Sequence, residues 1–206
     1  MRKFVIDKCL YAIKKYDKGY SNEKLEEIEY GLTGLYMTIS KSIIIFLIAY
    51  FLGIFWDLLI FMIFYNIIRS VSFGIHATKS WICLVTSTIC FLGATYLSKI
   101  IFIPINIKLV VGAFTIMYLY LYSPADTKKR PIVSKKRRDV YKFLSTFIAL
   151  IFTILSLTLN DNFMSNSLIF TLVIQCVMVS PITYKLTHQS YDNYKTYLKE
   201  VSVWVL

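Results

Sequence analysis

The chain has 206 residues, of which 57% are hydrophobic, 17% aromatic and only 17% charged, with a formal net charge of +11. This apolar excess and the positive mean hydropathy exclude an ordinary water-soluble domain and indicate an all-α, polytopic membrane protein. The basic residues flank apolar runs, which argues for positive loops beside a bilayer and against a nucleic-acid-binding surface.

The N-terminus opens Met-Arg-Lys and passes into mixed polar sequence with Lys14, Lys15, Asp17 and Lys18, without the apolar core or cleavage site of a signal peptide. Phe4, Val5, Leu10 and Ile13 lie between lysines and predict an amphipathic helix on an anionic leaflet. Ser21 is the expected N-cap of a second helix, with Glu23, Glu26 and Glu27 in its first turns, that runs into the first span. Residues 1–34 thus read as a cytoplasmic, interfacial region.

A crossing needs about 20 apolar residues for about 30 Å of hydrocarbon. The runs that qualify are Leu35 to Phe55, Leu58 to Ile75, Trp81 to Ile101, Ile105 to Tyr122, Tyr141 to Leu159 and Phe163 to Tyr184. They make six transmembrane helices over residues 35–184 and leave 185–206 as a cytoplasmic tail, so residues 1–206 read as one integral membrane domain. Between Pro124 and Lys142, a run of lysines and arginines faces only Asp126 and Asp139, which places that loop on the cytoplasmic side. The basic N-terminus belongs there too. Parity then requires a turn at Gly53-Ile-Phe-Trp-Asp57, and six spans bring both termini and the connection after the second span to the cytoplasmic face.

That connection reads Arg69-Ser-Val-Ser-Phe-Gly-Ile-His-Ala-Thr-Lys-Ser-Trp-Ile-Cys83. An ionisable group at membrane depth is costly and by default points to function; the plainer alternative for His76 is a backbone carbonyl partner. Cys83 alone reads as a packing residue, and Arg69 alone as a snorkelling arginine. Arg69 is expected on the same helical face as His76, near the inner boundary. On one unbroken helix His76 and Cys83 would be separated by about 10 Å of rise, too far for the hydrogen bond of about 3 Å between a base and its nucleophile. A thiol–imidazole site therefore requires a turn in Ala77-Thr-Lys-Ser80. Cys83 would then sit in the first turn of the third span, where the helix dipole favours thiolate. Gly74 would permit a close approach of backbone or substrate.

Thiols at a cytoplasmic face stay reduced, so Cys9, Cys90 and Cys176 read as small apolar helix residues. Zinc sites need three or four protein ligands, and His188 has no ligand-like companion, so neither a metal nor another cofactor is expected. In the tail, Tyr191, Tyr194, Tyr197, Leu198 and Val201 recur at helical spacing and suit the membrane surface or a subunit contact; a homodimer is the expected oligomer by symmetry preference.

Arg69, Gly74, His76 and Cys83, with Tyr30-Gly31-Leu32 and with Ser123-Pro-Ala-Asp-Thr127 followed by Pro131-Ile132, resemble the accessory gene regulator B (AgrB-like) family of membrane peptidases in Gram-positive quorum sensing. The resemblance runs from about Glu23 to Lys185. It implies an endopeptidase that removes the C-terminal tail of a small AgrD-type precursor, itself held at the membrane by an amphipathic leader. Cys83 would be the nucleophile that keeps the upstream part as a thioester, and His76 the base. A side chain of the precursor would then close a thiolactone or lactone, the autoinducing peptide.

Two positions depart from the family pattern. Phe73-Gly74 stands where many members have Gly-Gly, and Lys128-Lys129-Arg130-Pro131 replaces Pro-Asn-Lys-Pro. The resemblance implies an acidic precursor tail, for which Lys128, Lys129 and Arg130 offer a positive surface, although such loops also serve topology and anionic lipid. Arg69 is expected to bind a tail carboxylate or pair with Asp126, and Asp126 to orient His76. The alternatives are a transporter that moves a peptide without cutting it, against which no internal repeat and no midplane charge cluster is found, and a receptor that binds the peptide unchanged.

Overall fold

The structure, a computed structural model, describes residues 2–16, 21–75, 80–128 and 131–204. The chain divides into two compact units, one up to Gly53 and one from Ile54 onward.

The first unit contains α1 (Arg2–Tyr16) and α2 (Asn22–Phe51). Ser21 caps α2 as the sequence predicts, its hydroxyl accepting the Lys24 amide at 3.3 Å. The 30 residues of α2 reach about 45 Å at 1.5 Å per residue, so its charged first turns and its apolar remainder are one continuous helix. α1 packs against α2 and buries Ile6. Beyond α2 the chain turns at Gly53, whose φ of 69° suits a residue without a β-carbon.

The second unit contains α3 (Phe55–Ser72), α4 (Ser80–Ile100), α5 (Ile105–Tyr122), α6 (Lys135–Thr158) and α7 (Asn162–Val179), then the short α8 (Pro181–Leu186) and α9 (Asn193–Trp204). Helices α2 to α7 are the six long and apolar enough to cross a membrane. The protein is a multi-pass, all-helical membrane protein, with no strand among the described residues.

Three spans end several residues earlier than hydropathy suggests, the first of them at Phe51 instead of Phe55, ahead of the turn at Gly53. The second stops at Ser72 instead of Ile75, because Phe73 and Gly74 take positive φ. The sixth stops at Val179 instead of reaching Tyr184: Ser180 leaves the helical region and caps α8, accepting the Ile182 amide at 3.2 Å, and Pro181 occupies the first position of α8.

α7 is the central helix, in contact with α3, α4, α5 and α6. It buries Leu168, Leu172 and Val179 together with the polar Asn166, Thr171 and Gln175. Bonds at one end set the helix directions. Lys99 of α4 pairs with Asp57 of α3 at 2.5 Å, Lys108 of α5 donates to Ser165 of α7 at 2.6 Å, and Ser165 donates to the Ser156 carbonyl of α6 at 2.5 Å. Hence α3, α5 and α7 run one way and α4 and α6 the other. The opposite end gathers the end of α3, the start of α4, the α5–α6 connection and the end of α7.

Candidate active site

At that end α3 is stopped by backbone conformation. Phe73 has φ 55° and ψ −134° and Gly74 has φ 114°, regions that residues with a β-carbon rarely adopt. The segment after the helix end is bonded on both sides. The Ala125 amide donates to the Ser72 carbonyl at 3.1 Å, the Gly74 amide to the Ala125 carbonyl at 2.9 Å and the Ile75 amide to the Met178 carbonyl at 2.9 Å. A β-carbon on Gly74 would lie 2.5 Å from the Met178 carbonyl oxygen and 2.6 Å from the Arg69 guanidinium. The close approach at Gly74 is therefore that of the protein's own backbone.

Arg69 folds back over the same turn. Its guanidinium donates to the Phe73 carbonyl, to that of Gly74 at 3.2 Å and to that of Ile75 at 2.6 Å, satisfying carbonyls left open by the helix end. Gln175 adds a bond from Nε2 to the Phe73 carbonyl at 2.8 Å. Two expectations for Arg69 are corrected. It shares no helical face with position 76, since α3 ends at Ser72, and it is turned to the junction carbonyls instead of pairing with Asp126.

Asp126 is buried, with 5% of its surface exposed. One carboxylate oxygen accepts the Asn193 amide at 2.9 Å and Asn193 Nδ2 at 3.3 Å; the other accepts the Tyr194 amide at 2.9 Å and the Ile132 amide at 3.3 Å. A carboxylate offers about four acceptor positions, and these four donors occupy them. Asp126 thereby ties the α5–α6 connection to the C-terminal segment. Tyr184 donates from its hydroxyl to the Asp126 carbonyl at 2.8 Å, and Tyr191 to the Tyr122 carbonyl at 3.0 Å. Burial pushes both phenols above the ordinary tyrosine range, so they remain donors.

Cys83 lies in the first turn of α4, half-buried, with Sγ 3.9 Å from Ser87 Oγ. Tyr65 of α3 interacts electrostatically with both Arg69 and Cys83. His76, like Lys129 and Arg130, lies outside the described residues. Lys128 is exposed. Trp81 is 64% exposed. Cys90 is half-buried and Cys176 buried, but Cys9 is exposed on α1, so its surroundings are not those of a packing residue.

A cavity of about 610 Å³ opens beside the junction, walled by Phe73, Gly74, Ala125, Ile132 and Tyr141, with Ser134 and Arg137 at its polar side. The Phe73 ring packs edge-on to Tyr141, with centroids 4.9 Å apart. Tyr141, Gln175, Tyr184 and Asn193 were not singled out from sequence. Gln175 carried a usable signal, a long polar side chain inside an apolar run. Asn193 carried none, because its partner Asp126 is 67 positions away.

The sequence model of the accessory gene regulator B family matches residues 6–179. The chain belongs to the accessory gene regulator B family. An AgrB-like protein of Clostridium acetobutylicum is 30% identical over 184 residues, covering 87% of each chain. AgrB-like proteins of Listeria innocua and Listeria monocytogenes (strain HCC23) are 30% and 28% identical, each over 83% of this chain and 84% of the relative. No solved structure matches it. Membership of the AgrB family supports involvement in the accessory gene regulator system.

Proposed function

We propose that this protein is a cysteine endopeptidase of a Gram-positive cell membrane that cuts the C-terminal tail from an AgrD-type quorum-sensing precursor, with its site near the cytoplasmic face. The observation that carries the reading is the placement of Cys83 in the first turn of α4, at the bundle end where the bonded Phe73–Ile75 turn leads directly into His76. A helix N-terminus favours thiolate, and a neighbouring imidazole supplies the base.

In the first step the Cys83 thiolate attacks the scissile carbonyl, and His76 protonates the departing amine, leaving the upstream peptide as a thioester. In the second, a thiol or hydroxyl of that peptide gives its proton to the now neutral His76 and attacks the thioester, releasing the Cys83 thiolate as the ring closes. The cavity beside Phe73 and Tyr141 suits the residues flanking the cut, and their confinement favours cyclisation over hydrolysis. Arg137 and the exposed Lys128, with Lys129 and Arg130, suit an acidic tail. Arg69, Gly74 and Asp126 support the turn, and the enzyme acts as a homodimer.

The test is co-expression with a tagged precursor, following tail release by gel and mass spectrometry. Wild type is expected to release the tail and to form a hydroxylamine-sensitive adduct, and both Cys83→Ala and His76→Ala to abolish release. Undiminished processing by Cys83→Ala would remove the peptidase reading and favour transport.

A further inference from the structure

The Cys83 thiol has a hydroxyl beside it on its own helix. Cys83, Ser87 and Phe91 follow at four-residue spacing and share one face of α4. Phe91 locates that face inside the bundle, because its ring meets those of Phe61 and Tyr65 of α3, with centroids 6.5 and 4.9 Å away. Other hydroxyls of α4 bond the helix itself: Thr86 donates to the Ile82 carbonyl, Thr88 to that of Leu84 and Ser98 to that of Ala94, at 2.7 Å each. The carbonyl in the same relation to Ser87 is that of Cys83, which already accepts from Thr86 at 3.3 Å. The Ser87 hydroxyl is paired instead with Cys83 Sγ at 3.9 Å, a long contact, as catalytic hydrogen bonds often are before substrate binds.

We propose that Ser87 is a catalytic residue whose hydroxyl donates to the Cys83 sulfur before it attacks and again as it leaves the thioester; the role rests on the peptidase reading above. A thiol sulfur is a weak acceptor and a thiolate a charged one. The bond therefore favours thiolate about tenfold, the difference between a neutral and a charge-assisted hydrogen bond. It is weakest in the acyl-enzyme, where the sulfur carries no charge. When the ring closes, the carbon–sulfur bond breaks, its electron pair returns to Sγ, and the Ser87 hydroxyl meets the charge. Ser87 keeps its own proton throughout. Helices α3 and α7 pack against α4. From α3, Tyr65 interacts electrostatically with Cys83, Cys90 and Arg69, while Asp57 pairs with Lys99 at the opposite end; from α7, Cys176 is turned to the Thr115 carbonyl of α5.

The experiment uses the full chain in nanodiscs, with Cys9, Cys90 and Cys176 replaced by serine so that Cys83 is the one thiol. Its exchange with an uncharged pyridyl disulfide is followed at about pH 6 and about pH 10, on either side of the value of about 8.5 for a free thiol. Loss of the bond leaves about tenfold less thiolate at the lower pH, but each thiolate attacks about threefold faster, because nucleophilicity rises with basicity. Ser87→Ala is therefore expected to exchange about threefold more slowly than the parent chain at the lower pH and about threefold faster at the higher, and to release the tail about threefold more slowly or worse. Thr88→Ala removes a hydroxyl bonded to the helix and is expected to stay within about twofold of the parent in all three. Exchange rates equal to the parent's, a change in the same direction at both pH values, unchanged tail release, or the same crossing in Thr88→Ala would each overturn the proposal. A parent chain that releases no tail would remove the peptidase reading and the proposal with it, a failure visible before any variant is made.

Discussion

Phe73 sits where a glycine would be more comfortable. Its φ of 55° and ψ of −134° cost a residue with a β-carbon about 1–3 kcal/mol, and the conformation persists because Arg69, Gln175 and Ala125 bond the turn from three directions. This supplies a physical reason for the Gly-Gly pair that the family pattern places here, since both positions need positive φ. Phe73→Ala and Phe73→Gly both lose the contact with Tyr141, but only glycine relieves the backbone. After the greater unfolded-chain entropy of glycine is subtracted, Phe73→Gly is expected to be about 1 kcal/mol more stable than Phe73→Ala, by thermal unfolding in detergent. The reverse order would mean that the turn carries no strain. Position 74 was legible in the sequence as a glycine needed for close approach. That the neighbour would be the Met178 carbonyl was not, because nothing in a linear sequence brings position 178 to position 74.

Helix identity was legible wherever an apolar run was long, and a helix end was legible where its cap is local, as at Ser21. Ends set by distant contacts, at Ser72 and Val179, escaped hydropathy because their apolar side chains continue past the last helical bond. Packing between the helices adds constraints of its own. A β-carbon on Gly112 of α5 would lie 2.2 Å from Thr153 Cγ2 of α6, so these helices approach through a small residue, as membrane helices commonly do. Gly112→Ala is expected to destabilise the bundle by about 1–3 kcal/mol through overpacking, and Thr153→Ala in the same chain to recover much of that loss. A double-mutant cycle by thermal unfolding checks it; strictly additive effects would mean that the two residues do not share the space.

On the scale of the whole molecule, the site end is closed by residues far apart in sequence, and two phenols, the buried Tyr184 and the half-buried Tyr191, report on that closure. Burial raises Tyr184, with the Asp126 charge adding and Arg69 opposing; burial also raises Tyr191, with the Asp192 charge adding. The folded chain therefore keeps protons that the unfolded chain loses near pH 10. Their contribution to stability is whole below about pH 10 and is lost as pH rises from there toward the folded values. Alkaline titration followed by tyrosinate absorbance should show a late component that disappears in Tyr184→Phe/Tyr191→Phe. A curve unchanged except for the loss of two ordinary tyrosines would count against the buried clamp.

Sequence alone determined the membrane class, the number of crossings and the candidate thiol and imidazole, because burial in lipid demands long apolar helices and makes each interrupting polar group conspicuous. The tertiary structure alone decided that Arg69 seals the α3 terminus, that Asp126 holds the tail and that Asn193 reaches the site's supporting loop. Those roles depend on which distant donors and acceptors meet in a buried place, and hydrogen-bond satisfaction is a property of three-dimensional neighbours that hydropathy and spacing do not encode.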